Sequence, residues 1–455
     1  MDLKGKKVLI FGSGKSGIGA ARLLVTMEAA PVIYDENEKL QAADVLAKLP
    51  AEIADKTEVI LGKKPVEDML SYDLLVMSPG VPCDIPLVEA YRSRQIPVWG
   101  EVELAWRAGR GRVLAVTGTN GKTTTTSLLG ELLRAAFEET YVVGNIGTPY
   151  TSVADQQTDR AVTAAEISSF QLETIDTFHP IASCITNITP DHLNRHHTME
   201  EYIRVKELIT ANQTAEDLCV LNYEDEILRA FGADLQVPVM FFSSLRKLDR
   251  GIYLEDDMIR ISDGSTVTDV VNVHDLQLLG LHNYENVMTA VAMAAHVGVP
   301  MDLIRKTICS FAGVEHRIEY VTEKYGVRYY NDSKGTNPDA AIKGIQAMNR
   351  PTLLIGGGYD KQSTYEEWIE QFDGKVKYLV LIGQTREKIA ETAVRCGFPE
   401  ERIRFCEDLK EAVAFCAAHA SEGDAVLLSP ACASWGQFDN YEQRGDMFKE
   451  YVRAL

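Results

Sequence analysis

The sequence lacks the signatures of several protein classes. None of its eight cysteines forms a C-x-x-C pair, and they are scattered along 455 residues. This spacing disfavours a disulfide framework or a zinc site and favours free thiols. No apolar run reaches the roughly 18 residues that a membrane-spanning helix needs. There is also no internal repeat and no low-complexity linker, so we expect neither a solenoid nor a long disordered region.

The N-terminal segment and the net charge narrow the choice further. The first residues lead directly into an apolar stretch, without the cationic, apolar and cleavage regions of a secretory signal. We therefore expect a cytoplasmic protein without membrane insertion. The formal net charge of -20 disfavours a nucleic-acid partner, because the phosphates would be repelled. Small anionic substrates need only a locally positive pocket and remain compatible with this charge.

Composition and patterning predict a three-domain α/β protein. Hydrophobic residues make up 45% and charged residues 25% of the chain, as in ordinary globular proteins. Short apolar runs alternate with amphipathic stretches, which predicts parallel sheets covered by helices. Only residues 252–273 have the alternating, turn-rich pattern of antiparallel strands. We expect domains at 1–98, 99–313 and 314–455: a Rossmann-like domain, a central domain with a mostly parallel sheet, and a second Rossmann-like domain.

A first glycine-rich loop follows the predicted strand Val8–Phe11. Its sequence, Gly12-Ser-Gly-Lys-Ser-Gly17, is a G-x-G-x-x-G motif that opens a helix, and Asp35 ends the next strand. Alone, this pattern indicates a dinucleotide-binding oxidoreductase. The glycines would also suit a UDP-sugar diphosphate, or they serve only helix–strand packing. Ser78-Pro-Gly80 follows another predicted strand, so it either lines the same pocket or forms a simple turn.

A second loop gives the stronger signal. Residues 117–124, Thr-Gly-Thr-Asn-Gly-Lys-Thr-Thr, lie between the predicted strand Val113–Val116 and the predicted helix Lys122–Ala136. The ending resembles a P-loop, whose amides cradle phosphate while Lys122 reaches the β- and γ-phosphates and the Thr123 hydroxyl meets Mg²⁺. The strict P-loop pattern fails because Val116 occupies its first glycine position. The loop therefore predicts ATP binding by a variant of that motif.

The octapeptide at 117–124 resembles the Mur ligases and the related folylpolyglutamate synthetases, and the resemblance extends over the whole chain. The further motifs that carry it are Gly144-Asn-Ile-Gly147, Glu166–Glu173, Asn187–Leu193, Lys206, Leu281–Asn286, Glu315-His-Arg317, Asn331–Pro338, Gly356-Gly-Gly358 and Ser429–Ser434. The motifs at 331–338 and 429–445 are similar to those of family members that add D-glutamate. The Asp-Asn-Pro-Arg motif of members that add diaminopimelate or lysine is absent from the sequence.

This resemblance implies an enzyme of peptidoglycan precursor synthesis. The expected reaction is ATP-dependent amide formation between UDP-N-acetylmuramoyl-L-alanine and D-glutamate, through an acyl phosphate, with release of ADP and phosphate. In this family the N-terminal domain holds UDP rather than NAD. The resemblance therefore implies that the first glycine-rich loop belongs to a UDP site. We expect ATP on the central domain, D-glutamate on the third domain, and a monomer.

The resemblance also implies the catalytic and metal-binding residues, which are Lys122, Thr123, Glu166, His192 and Lys206. Two Mg²⁺ ions are expected, with Lys206 carrying a CO₂-derived carbamate as an N6-carboxylysine. From the residues alone, the predictions are weaker: Glu166 and Lys206 would be solvated, and His192 would be an ordinary loop histidine. The neighbouring His196 and His197 are expected on the surface.

Three sets of binding residues follow from the same motifs. For ATP they are Gly118, Thr119, Asn120, Gly121, Lys122, Thr123, Thr124, Asn283, Asn286, Arg317 and Asp332. For the UDP substrate they are Gly14, Lys15, Ser16, Asp35, Glu36, Ser78, Asn145 and His192. For D-glutamate they are Lys334, Thr336, Lys361, Ser434 and Tyr441. The alternatives are a nicotinamide-dependent oxidoreductase, a non-catalytic nucleotide-binding regulator, and a ligase for another amino acid.

Overall fold

Three sheets flanked by helices organise the chain. The structure, a computed structural model, describes residues 2–455. The strands are β1 (Lys7–Phe11), β2 (Ala30–Asp35), β3 (Glu58–Leu61), β4 (Leu74–Met77), β5 (Val98–Gly100), β6 (Arg112–Thr117), β7 (Thr140–Gly144), β8 (Val162–Glu166), β9 (Ala182–Ile185), β10 (Leu218–Asn222), β11 (Val239–Ser243), β12 (Arg250–Glu255), β13 (Met258–Asp263), β14 (Val267–Asn272), β15 (Glu319–Lys324), β16 (Val327–Asn331), β17 (Thr352–Gly357), β18 (Val376–Ile382), β19 (Ile403–Phe405) and β20 (Ala425–Leu428).

The helices fill the connections between these strands. They are α1 (Lys15–Thr26), α2 (Ala42–Leu46), α3 (Ala51–Ala54), α4 (Pro86–Ser93), α5 (Glu101–Ala108), α6 (Lys122–Ala136), α7 (Ser169–Leu172), α8 (Leu193–His196), α9 (Met199–Glu207), α10 (Glu226–Asp234), α11 (Leu281–His296), α12 (Met301–Ser310), α13 (Pro338–Ala347), α14 (Glu366–Glu370), α15 (Arg386–Arg395), α16 (Leu409–His419) and α17 (Tyr441–Arg453). Among residues 2–455, no helix has both the length and the apolar character that crossing a membrane requires.

The first sheet has the order β3-β2-β1-β4-β5, and all neighbouring strands are parallel. This is the strand order of a Rossmann-like domain, as the sequence predicts. Its strands are apolar along most of their length because helices cover both faces. The carboxyl ends of β1, β2 and β4 share one edge, so Gly12, Asp35 and Ser78 lie near each other there.

The second sheet has nine strands in the order β14-β13-β12-β11-β10-β9-β6-β8-β7. Neighbours from β7 to β12 are parallel, while β12 and β13 pair antiparallel, as the turn-rich pattern predicts. Strand β6 lies between β8 and β9, with Val116 opposite Glu166 and Thr117 opposite Ile185. The loop between β6 and α6 (residues 118–121, the phosphate-type loop) is therefore bordered by the carboxyl ends of two other strands.

The third sheet has the order β15-β16-β20-β17-β18-β19, parallel except for the β15–β16 hairpin. Strand β20 lies between β16 and β17, which gathers the loops after these three strands at one edge. The chain forms two compact units. One runs up to Val270 and includes Glu285–Thr307, and the other comprises Val271–Tyr284 and Ile308–Leu455. All eight cysteines are free thiols, as predicted.

A buried carboxylate joins α5 to the chain segment that follows α7. The Glu103 carboxylate is fully buried and accepts hydrogen bonds from the backbone N–H groups of Asp176 (2.9 Å), Thr177 (3.0 Å) and Phe178 (3.0 Å), as well as from Arg107 (2.6 Å). Burial alone would raise the pKa of Glu103. The hydrogen bonds outweigh burial and hold this pKa below its usual range.

Replacing this carboxylate should destabilise the fold. Glu103→Ala leaves three backbone N–H donors without their acceptor, and that of Phe178 is buried, so we expect a loss of about 3 kcal/mol of unfolding free energy at pH 7. Because the folded pKa of Glu103 is lowered, its contribution is present above the unfolded value of about 4.3 and is lost as the pH falls through the folded value. Urea denaturation at several pH values measures both effects.

The control for this experiment is Glu200→Ala, which removes an exposed carboxylate from α9. It should change the unfolding free energy by no more than about 0.5 kcal/mol. Equal stability of the Glu103→Ala and Glu200→Ala variants at pH 7 would show that the Glu103 carboxylate does not hold this part of the fold together.

Candidate active site

The loop between β6 and α6 has the geometry of a phosphate cradle. Gly118 and Gly121 have φ angles of +135° and +86°, which residues with a Cβ rarely adopt. An added Cβ would also lie 1.9 Å from the Thr186 hydroxyl at Gly118 and 2.3 Å from the Asn286 amide oxygen at Gly121. The loop leads directly into the N-terminus of a 15-residue helix. Backbone N–H groups at such a terminus favour a bound anion.

The segment after β9 holds this loop from the side. The Thr119 N–H donates to the Asn187 carbonyl at 2.9 Å, and the Asn120 N–H donates to the Asn187 side-chain oxygen at 2.9 Å. The Thr119 hydroxyl lies 3.0 Å from the hydroxyl of Tyr202. The Asn187-Ile-Thr motif therefore fixes the shape of the loop.

Two lysine side chains meet at one carbonyl of the loop. The Lys122 ammonium donates to the carbonyl oxygens of Gly118 (2.9 Å) and Thr119 (2.8 Å). The Lys206 ammonium also donates to the Gly118 carbonyl, at 2.9 Å, and it is only 2% exposed. Burial, reinforced by the charge of Lys122, lowers the pKa of Lys206 to about 7. The solvated Lys206 expected from its helix pattern alone is therefore wrong.

Glu166 ends β8 beside this loop, and it is buried rather than solvated. One of its carboxylate oxygens accepts a hydrogen bond from the Asn145 amide at 2.8 Å. The other oxygen is buried and has no hydrogen-bond partner among residues 2–455. A buried carboxylate oxygen without a donor needs a positive partner. Because Mg²⁺ prefers oxygen ligands, the carboxylate of Glu166 and the hydroxyl of Thr123 in the first turn of α6 have the chemistry of a magnesium site.

The histidines after β9 have different environments. His192 adopts φ +52°, its side chain is half exposed, and its ring lies 4.9 Å from that of Phe170. His197 is exposed, as predicted. His196 is buried, with its Nε2 atom 2.9 Å from the Ser169 hydroxyl, so its predicted surface position is wrong. The half-exposed side chain of His192 is open to a ligand.

The first glycine-rich loop combines packing with an open helix end. A Cβ on Gly17 would lie 1.9 Å from the Gly12 carbonyl oxygen, and Gly12 itself packs against Ser78. Gly14 has open space where its Cβ would be, so packing does not explain it. Lys15 is exposed beside it at the start of α1, and Ser16 is half-buried. This helix end is therefore accessible to an anion.

Asp35 supports the first loop from within the protein. One of its carboxylate oxygens accepts hydrogen bonds from the Ser13 N–H (3.0 Å) and the Ser13 hydroxyl (2.6 Å). Burial raises the pKa of Asp35, but these bonds outweigh it and hold the pKa below its usual range. The neighbouring Glu36 is exposed. The structure thus gives Asp35 a loop-shaping role that the motif alone does not reveal.

The second compact unit gathers its candidate residues at the edge shared by β16, β17 and β20. Asp332 follows β16 and is buried, accepting a hydrogen bond from the Ser429 hydroxyl at 2.7 Å. Burial raises the pKa of Asp332 to about 7, although Arg317 opposes this effect. Lys334 lies in the next turn with its ammonium 5.4 Å from the Tyr441 ring, and Thr336 follows.

One buried arginine was not among the predicted site residues. Arg444 on α17 is fully buried and donates to the Ser333 hydroxyl (2.9 Å), the Ser333 carbonyl (2.8 Å) and the Cys432 carbonyl (3.1 Å). It thereby joins the loop that carries Lys334 to the loop that carries Ser434. Burial lowers the pKa of Arg444 to about 10. Its place in the Glu-Gln-Arg-Gly run was visible in the sequence, but its burial was not.

The two asparagines predicted to flank adenine belong to different compact units. Asn286 accepts a hydrogen bond from the Thr125 hydroxyl of α6 at 3.2 Å, which places it beside the phosphate-type loop. Asn283 donates to the Leu279 carbonyl at 2.7 Å within the second unit. Thr124 is buried in the first turn of α6.

The lowered pKa of Lys206 predicts a pH-dependent gain in stability on its replacement. Between about pH 7 and the ordinary lysine value near 10.4, the unfolded chain binds more protons than the folded chain, so the lysine costs stability. In CO₂-free buffer, Lys206→Met should therefore be more stable than the unaltered protein at pH 7, by about 4 kcal/mol. This gain should be complete below pH 7 and shrink as the pH approaches 10.

Urea denaturation at pH 7, 8 and 9 tests this prediction, with Lys410→Met on the exposed face of α16 as the control. The control should show no such trend. A gain for Lys206→Met that does not change with pH would mean that the amine is not held neutral by the fold.

Family models match most of the chain. Residues 6–100 match the "Mur ligase MurD-like, N-terminal domain", residues 116–294 the "Mur ligase middle domain", and residues 316–432 the "Mur ligase, glutamate ligase domain". Among solved structures, the UDP-N-acetylmuramate-alanine ligase of Thermotoga maritima is similar, with a TM-score of 0.58, 18% identity and 99% of both chains covered. That likeness concerns the fold alone.

Curated relatives are much closer in sequence. The UDP-N-acetylmuramoylalanine–D-glutamate ligase of Lachnoclostridium phytofermentans is 54% identical over 100% of this chain and 99% of the relative. The ligase of the same name from Lachnospira eligens is 53% identical over the whole of both chains. The chain therefore belongs to the Mur ligase family and is an ATP-dependent ligase that forms carbon–nitrogen bonds.

Proposed function

We propose that this ligase joins UDP-N-acetylmuramoyl-L-alanine to D-glutamate in peptidoglycan precursor synthesis. The relatives that are 54% and 53% identical carry the name of this activity. The observation that supports it most is the centre at the end of β6. There, two lysines converge on the Gly118 carbonyl beside the buried, unpartnered oxygen of Glu166. Such an arrangement suits the transfer of a phosphoryl group between anionic partners.

The loop after β6 would hold the phosphates of ATP. Its backbone N–H groups and the α6 N-terminus face an anion, and Lys122 would move from the loop carbonyls to the β- and γ-phosphates. Thr123 and Glu166 would hold the first Mg²⁺ ion, and His192 with carboxylated Lys206 would hold a second one. Held by these residues, Mg²⁺ would supply positive charge against the phosphate oxygens.

Lys206 has the properties that carbamate formation requires. Only the neutral amine adds CO₂, and a pKa of about 7 leaves a substantial neutral fraction at neutral pH. The product replaces a buried cation by an anion, which removes the repulsion from Lys122 and supplies oxygen ligands for Mg²⁺. The reaction thus relieves the cost of burying the Lys206 ammonium beside a second ammonium group.

Amide formation would proceed in two steps. A carboxylate oxygen of the UDP substrate attacks the γ-phosphorus of ATP, so that ADP leaves and an acyl phosphate forms. The neutral amine of D-glutamate attacks the acyl carbon and gives a tetrahedral intermediate. The carbon–oxygen bond to phosphate then breaks, and the second proton of the nitrogen ends on the released phosphate as the amide forms. Lys122 stabilises the negative charge in the first step by its position at the loop. Asn145 fixes the Glu166 carboxylate throughout.

The remaining residues divide by domain. We assign UDP to residues 1–98, where Gly14, Lys15 and Ser16 open α1, with Ser78 beside them. ATP is assigned to residues 99–313. D-glutamate is assigned to residues 314–455, where Lys334, Lys361 and the hydroxyls of Thr336, Ser434 and Tyr441 suit its two carboxylates. Arg317 and Asp332 are assigned to ATP.

Phosphate release from ATP tests the proposed function. The assay contains UDP-N-acetylmuramoyl-L-alanine and, in parallel, D-glutamate, L-glutamate, L-lysine or meso-diaminopimelate. We expect release with D-glutamate alone and a product whose mass equals the sum of both substrates minus water. With ¹⁸O in the substrate carboxylate, one labelled oxygen should appear in the released phosphate.

Lys122→Met serves as the matched loss-of-function variant and should lower kcat by about 10²–10³-fold. Turnover with a different amino acid would keep the ligase and overturn the proposed substrate. No phosphate release with any amino acid would contradict catalysis and favour a nucleotide-binding regulator.

A further inference from the structure

Two aromatic side chains lie exposed at the edge of the third sheet. Trp435 is 55% and Tyr359 is 40% exposed, and their rings meet edge to face with centroids 5.6 Å apart. Large aromatic side chains usually bury most of their surface, so core packing does not explain this pair. The pair also lines a surface cavity of about 340 Å³. An exposed aromatic pair beside such a cavity is typical of a binding site.

The loops that carry this pair are fixed to each other. Tyr359 lies just after β17, and Trp435 lies in the loop after β20. The Tyr359 N–H donates to the Ala433 carbonyl at 2.9 Å in an isolated antiparallel bridge. Ser434, the next residue, is buried. Gly436 then adopts φ +92°, so the chain turns immediately after the indole. The backbone at Trp435 is thus held by the bridge at Ala433 on one side and by the turn at Gly436 on the other.

The indole holds the ammonium of Lys361. The Lys361 Nζ atom lies 4.8 Å from the centroid of the Trp435 ring, within the range of a cation–π interaction. Among residues 2–455, no carboxylate forms an ion pair with Lys361. The adjacent Asp360 pairs instead with Lys388, with 3.3 Å between the Asp360 carboxylate and the Lys388 ammonium. The aromatic ring orients this ammonium without neutralising it. An acidic partner would instead repel an incoming carboxylate.

We propose that Trp435 is a positioning residue for the amino-acid substrate. Its indole holds Lys361 so that the ammonium meets a carboxylate of that substrate, and Tyr359 braces the indole from its edge. This inference rests on the proposed function, in which Lys361 binds D-glutamate. The cation–π contact orders a long, exposed lysine side chain before the substrate arrives, which lowers the entropy cost of binding.

Steady-state kinetics of single variants test the proposal. Trp435→Leu should raise KM for D-glutamate about threefold to tenfold, as expected for the loss of one exposed cation–π contact. It should leave kcat within about twofold and KM for ATP and for the UDP substrate unchanged. Trp435→Phe should raise KM for D-glutamate less than Trp435→Leu does, because it keeps an aromatic ring. The melting temperatures of both variants should match that of the unaltered enzyme, since the indole is largely exposed.

Two controls separate this role from a structural one. Tyr325→Leu removes another exposed aromatic side chain of the same unit, 88% exposed, and should leave KM for D-glutamate unchanged. In the Lys361→Met background, Trp435→Leu should add nothing further, because the indole acts through Lys361.

The outcomes distinguish the inference from the proposed function. If the unaltered enzyme uses D-glutamate and Trp435→Leu leaves its KM unchanged, the inference is wrong and the function stands. The inference is equally wrong if the effects of Trp435→Leu and Lys361→Met are additive. If the unaltered enzyme does not turn over D-glutamate, the proposed function and this inference are both overturned.

Discussion

Two ammonium groups share the carbonyl oxygen of Gly118, and one of them is buried. Two ammonium groups that share one acceptor repel each other, and burial removes the water that would screen their charges. The fold holds Lys206 there because α9 packs against the loop and the tightly turned Gly118 leaves its carbonyl exposed to both lysines. The result is an amine whose pKa lies near neutrality. The chemistry we propose at this loop depends on that amine.

The order of the strands determines which residues lie beside this loop. Because β6 lies between β8 and β9, the phosphate-type loop has Glu166 on one side and the Asn187 segment on the other. Neither residue is near the loop in sequence. The third sheet repeats this arrangement, since β20 lies between β16 and β17 and brings Asp332 and Ser429 into contact. In both sheets, parallel strands collect polar loops at their carboxyl ends.

Much of this was predictable from the sequence. The helix Lys122–Ala136 has the predicted bounds, because a glycine-rich loop starts it and its apolar periodicity ends at Ala136. The antiparallel β12–β13 pair also matches its alternating pattern. Such features are local, and local patterns reflect propensity and spacing directly.

The environment of single polar residues was harder to predict from the sequence. Helix periodicity does not show which polar residue faces a distant loop. His196 was therefore expected on the surface and Arg444 was not singled out, and only the family resemblance pointed to a buried Lys206. These three depend on contacts between segments far apart in sequence. The partnership of Trp435 with Lys361 has the same origin, because it joins the loops after β20 and β17.

The direct test of the central claim is whether Lys206 takes up CO₂. The enzyme, supplied with ¹³C-bicarbonate and Mg²⁺, is compared by ¹³C NMR with Lys206→Met and with the exposed-site control Lys410→Met. We predict a carbamate resonance in the unaltered enzyme and in the control that is absent from Lys206→Met. A spectrum that is the same for all three proteins would show that the buried amine at Gly118 carries no carbamate.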